Sequence, residues 1–172
     1  MQKYFIKGSS SLLFIISTKK AFNSSNFISW KYCNVFLIFA SFLCNATEYK
    51  PIFLLLDYLA IYLTCISYIN NIYINIPYSL LLIYEYKKYK SIENMKNVAF
   101  LSAMGKTILY TYLYLDKNNF IIVITSSISG LIIYKIRNSL NEIDNIKYNL
   151  LLTYLFHFCV MNMLYISSIT AV

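Results

Sequence analysis

The sequence predicts an all-α, multi-pass transmembrane helix bundle of six to seven helices. Three observations predict it. Of 172 residues, 59% are hydrophobic and only 13% charged, where a soluble domain carries about 25% charge. The charges are clumped: residues 32–47, 118–134 and 148–172 carry no Lys, Arg, Asp or Glu, and 51–84 carries only Asp57. Runs of that length fit lipid-spanning helices of roughly 17–25 residues. Finally, these runs are apolar on every side, without the alternation of a transmembrane β-barrel. A bilayer then forces internal backbone pairing and hence helices, despite the many Ile and Tyr residues.

Residues 1–32 form an N-terminal segment, read as a marginal first span or an interfacial helix. Its apolar stretch, Ser9 to Thr18, is short, and Lys7 and Lys19 would lengthen it by snorkelling. Residues 33–172 form the bundle proper, with spans expected at 33–47, 52–69, 72–86, 98–115, 119–136 and 149–171. Very short loops such as Asn70-Asn71 make neighbouring helices antiparallel. The longer loops, Lys87–Asn97 and Arg137–Tyr148, are basic.

Orientation follows from counting Lys and Arg on each side. With seven crossings the split is ten against four, favouring an inside N-terminus and an outside C-terminus. With six crossings it is eight against six, so the count supports treating the first segment as a span. The formal charge of +8 is explained by loop lysines facing anionic lipid rather than by nucleic acid. The expected partners are membrane lipids and membrane proteins. Cys33, Cys44, Cys65 and Cys159 lie inside the apolar runs and read as small buried residues. Gly105 and Gly130, beside small residues, read as close helix contacts. Tyrosines near span ends, with Tyr58 among them, read as an aromatic belt. Asn23-Ser24-Ser25 and Asn45-Ala46-Thr47 match the glycosylation sequon.

Polar residues inside apolar spans carry the functional information. They are Ser41 and Asn45 in the second span, Asp57 in the third, Lys106 in the fifth, and Thr153 and His157 in the last. At about 1.5 Å per residue, Asp57 lies roughly 8 Å and His157 roughly 12 Å into their helices from the same side. The group reads as a polar chamber, or as a structural network in which Asp57 pairs with Lys106 and His157 caps the pair.

The order of these groups resembles the superfamily of seven-helix membrane proteins that contains alkaline ceramidases, adiponectin and progestin receptors and hemolysin III proteins. Its members carry Ser-x-x-x-His in the second helix, an Asp early in the third and His-x-x-x-His in the seventh. Here Ser41-Phe42-Leu43-Cys44-Asn45 resembles the first motif, with Asn in place of His. Leu56-Asp57-Tyr58-Leu59-Ala60-Ile61-Tyr62-Leu63 is similar to the family's Leu-Asp-His-Ser-Ala-Ile-Tyr-Leu stretch, and Thr153-Tyr154-Leu155-Phe156-His157 resembles the last motif with Thr replacing its first His.

The resemblance implies a zinc held by three His, of which His157 alone remains; Asn45 and Thr153 are poor zinc ligands. The preferred expectation is a non-catalytic, degenerate member with a residual polar chamber and no cofactor. The alternative is a zinc-dependent lipid amide hydrolase, with Ser41 and Asp57 as catalytic residues and His157 as a metal ligand. A third reading is a small accessory subunit of a membrane complex.

Overall fold

A computed structural model describes residues 2–24, 28–47, 51–68, 116–140 and 146–170, with helical positions at 76, 77, 79, 80, 83, 84, 87, 105, 108, 109, 112 and 113. The described elements are all helical. An N-terminal run comprises α1 (Gln2–Ser9), a 3-10 segment (Ser10–Leu13) and α2 (Phe14–Ser24). It is followed by α3 (Ile28–Ala46), α4 (Pro51–Tyr68), α5 (Lys117–Ser139) and α6 (Ile146–Thr170). Most of the expected spans 72–86 and 98–115 lies outside the described residues, as do Lys106 and Asn70-Asn71.

Local chemistry fixes the helix ends. Pro51 opens α4, where its missing N–H is one of the donors a helix start leaves unused. Asp116 caps α5 by accepting from the Asn119 backbone N–H at 2.9 Å and from its side-chain amide at 2.7 Å. Near the N-terminus, the Ser9 and Ser10 hydroxyls each donate to a carbonyl three residues back, Ile6 and Lys7, both at 2.6 Å. Such bonds compete with the regular ladder, and the chain tightens there into its 3-10 segment.

Two antiparallel pairs, α3 with α4 and α5 with α6, make the outer parts of the bundle, and the N-terminal run packs against both α3 and α6. One core cluster draws Phe14 from that run, Leu37 and Ala40 from α3, Ala60 from α4 and Met161 from α6. A second cluster, Cys44, Leu54 and Tyr58, seals α3 against α4. At Gly8, an added Cβ would lie 3.0 Å from both the Ala46 Cβ and the Phe42 carbonyl oxygen. Only glycine permits this approach of α1 to α3.

The outward faces are strongly apolar, and the interior mixes apolar with polar side chains. The outward faces carry Phe39, Leu55, Leu59, Ile121, Ile128, Ile132, Leu151 and Phe158, whereas Ser10, Ser11, Ser17, Ser127, Ser167 and Ser168 are buried. Two described helices, Lys117–Ser139 and Ile146–Ile169, are long and apolar enough to cross a membrane. At 1.5 Å per residue they span about 35 Å against a hydrocarbon thickness of about 30 Å.

Several sequence expectations change. The helix expected at 33–47 starts at Ile28, because Lys31 does not end it: its ammonium lies 5.7 Å from the Phe22 ring centroid. Lys7 does not snorkel but is 4% exposed, while Lys19 is exposed. Arg137, expected to open a loop, lies within α5 and is 6% exposed. Among the described residues an added Cβ at Gly105 would meet nothing within 4 Å, whereas one at Gly130 would sit 3.4 Å from the Cys159 Cβ. Tyr58 belongs to the core rather than to an interfacial belt, and Asn45 is buried, which removes its sequon from any glycosylating enzyme in this fold.

Candidate functional site

Spacing of four residues puts Ser41 and Asn45 on one face of α3, and Thr153 and His157 on one face of α6. All four point inward and are buried. Asp57 is half-buried on α4. Lys106 lies outside the described residues, so its expected pairing with Asp57 does too.

At the level of Ser41 and His157 the polar faces of α3 and α6 meet through the N-terminal run. Ser10 Oγ lies 2.7 Å from His157 Nδ1, and Ser11 Oγ donates to Ser41 Oγ at 3.0 Å. One position earlier, Ser9 Oγ lies 2.5 Å from the Tyr154 hydroxyl. Three consecutive serines thus reach two helices, because the tighter 3-10 turn spreads successive side chains by about 120°. The Ser10 hydroxyl has one proton and gives it to the Lys7 carbonyl. It therefore accepts from His157, which places a proton on Nδ1 and leaves Nε2 as the ring acceptor.

The remaining polar groups are turned inward on their own helices. Asn45 donates its amide to the Ser41 carbonyl at 2.8 Å, and Thr153 donates to the Asn149 carbonyl at 2.8 Å. The His157 ring packs at 5.1 Å from Phe14 and 5.7 Å from Phe156, centroid to centroid. Two buried cations, Arg137 and Lys7, act electrostatically on it. The Arg137 guanidinium lies over the Tyr134 and Phe156 rings at 5.2 and 5.6 Å.

The described residues do not by themselves assemble a catalytic zinc site. Such a site needs three protein ligands and an open position. No cluster of three His, Cys, Asp or Glu occurs among the described residues. His157 is a single ligand whose described neighbours are a hydroxyl and two aromatic rings.

Sequence reasoning missed Ser9, Ser10, Ser11, Lys7 and Arg137. The three serines carried a usable signal, a polar interruption inside an apolar stretch, which in a bilayer demands partners. Lys7 and Arg137 carried none, since their burial is a tertiary fact. Comparison with family models, curated proteins and solved structures gives no match to this chain.

Proposed function

We propose that the chain is a multi-pass integral membrane protein of six to seven helices, a non-catalytic, degenerate relative of the ceramidase and adiponectin-receptor-like superfamily that works by binding or organising lipid. The observation that carries the membrane part is the surface: Ile, Leu and Phe cover the outward faces, while many hydroxyls and one imidazole are buried beside the apolar core. In water so much exposed apolar area weakens the hydrophobic driving force for folding. In lipid it is the expected one, with small polar residues joining helices that have no hydrophobic reason to associate.

The non-catalytic part is supported by how the polar groups are used. A hydrolytic chamber keeps its nucleophile and ligands aimed at a shared open point. Here Ser41 accepts from Ser11, His157 bonds Ser10, and Thr153 bonds its own helix. Interhelical bonds of this kind contribute about 0.6 kcal/mol each in membrane proteins. The three serine bonds to α3 and α6 thus supply roughly 2 kcal/mol of positioning for the N-terminal run.

Alkaline carbonate extraction of membranes expressing the chain tests the first part, and glycosylation acceptor tags at the two ends test the number of spans. Retention in the pellet with only the C-terminal tag modified is expected for seven spans; modification of neither or both tags would mean an even number. Release by carbonate would overturn the membrane reading. Turnover of a long-chain N-acyl sphingosine by the purified protein would overturn the non-catalytic one.

A further inference from the structure

We infer that Arg137, near the end of α5 and facing α6, anchors a binding site for a phosphate group carried on an anionic lipid. The inference rests on the membrane reading above. A guanidinium has five N–H donors and stays charged in any protein setting. Arg137 is 6% exposed, and the one hydrogen bond described for it is a long one, 3.4 Å from Nη2 to Asn138 Oδ1. Its other described contacts are the faces of Tyr134 and Phe156, which engage none of the in-plane donors.

Among the described residues no carboxylate answers this charge. The described acids are Asp57, on α4, and Asp116, which caps the opposite end of α5 about 30 Å away. Burying such a cation without an anion is costly.

The position also selects the ligand. Gly130 opposite Cys159 and Tyr134 near Phe156 fix the register of α5 on α6. One further turn puts Arg137 level with Thr153, just inside the end of α5. Exposed Lys135 and Lys147 flank the same end. A buried arginine between two helices near one membrane face, flanked by exposed lysines, has the charge to attract a lipid phosphate, and its planar fork matches two phosphate oxygens at once.

The test is thermal unfolding of the detergent-purified full chain titrated with dioctanoyl phosphatidate, dioctanoylglycerol or inorganic phosphate. Phosphatidate is expected to raise the unfolding temperature saturably, dioctanoylglycerol to leave it unchanged, and Arg137→Gln to weaken the phosphatidate effect about tenfold or more. Arg137→Lys, which keeps the charge that folding sees but loses the fork, is expected to unfold normally and to bind several-fold more weakly. An equal effect from inorganic phosphate would keep the phosphate site and overturn its assignment to lipid. No shift with either phosphate, or an unchanged one in both variants, would overturn the site. Failure here with retention in carbonate-washed membranes removes the headgroup assignment alone; release by carbonate removes the membrane reading and this inference with it.

Discussion

Ser10 and His157, 147 positions apart, are joined by a 2.7 Å hydrogen bond in the interior of the bundle. Together with the Ser9–Tyr154 contact it ties the N-terminal run to α6. Ser10→Ala leaves the His157 N–H buried without its acceptor, a loss of about 1–3 kcal/mol. His157→Phe keeps the ring volume between Phe14 and Phe156 and removes the donor. The double variant Ser10→Ala with His157→Phe should therefore unfold at a higher temperature than Ser10→Ala alone. Thermal melts of the four proteins in one detergent measure this; additive losses would show that the bond contributes nothing.

Why the chamber was only half legible is a matter of which contacts a linear sequence can express. Spacing of four residues along an uncharged run is enough to place Ser41 with Asn45 and Thr153 with His157. The ends of α4 follow almost as directly, whereas α5 and α6 run past the charges expected to bound them, over Arg137 and Lys147. The partners were not legible. Ser9-Ser10-Ser11 stands at the start of a stretch read as short and apolar, and only its packing against α3 and α6 turns it into the interior of the bundle. Lys7 and Arg137 counted as loop charges for the same reason. Gly105 shows the reverse: its small sequence neighbours suggest a tight contact, and no described residue lies within 4 Å of where its Cβ would be.

Gly8 sets the distance between α1 and α3. Its replacement by Ala puts a methyl 3.0 Å from both the Ala46 Cβ and the Phe42 carbonyl oxygen, and the second of these is backbone. Overpacking of this kind costs about 1–3 kcal/mol. Gly8→Ala should lower the unfolding temperature, and adding Ala46→Gly should recover only part of the loss, because the carbonyl contact remains. Gly105→Ala should cost nothing. Equal melting temperatures for Gly8→Ala and wild type would show that α1 does not approach α3 as closely as described.

Zinc content separates the packing role of His157 from a ligand role. With Nδ1 bonded to Ser10 and aromatic rings at 5.1 and 5.7 Å, His157 has among the described residues none of the two further ligands a catalytic zinc requires. Elemental mass spectrometry on detergent-purified protein should find no stoichiometric zinc in the wild type or in His157→Ala. About one zinc per chain in the wild type, lost in His157→Ala, would restore the lipid amide hydrolase reading.

Trp30 gives an optical reading of the closure of α3 on α6. It is the single tryptophan of the chain, it is 1% exposed, and its indole N–H donates to Ser168 Oγ at 3.1 Å. An indole buried among helices is shielded from both water and lipid. Its emission should be shifted to the blue of free tryptophan, with weak quenching by aqueous acrylamide and equally weak quenching by brominated lipid. Ser168→Ala removes this acceptor and should lower the unfolding temperature by an amount corresponding to about 1 kcal/mol, with the emission still blue-shifted, because the surrounding packing is retained. Deleting residues 2–24 should expose the ring to one of the two quenchers, since that run fills the space between α3 and α6. Strong acrylamide quenching in the intact protein would mean that α3 and α6 are open at this level, and strong quenching by brominated lipid that Trp30 faces outward.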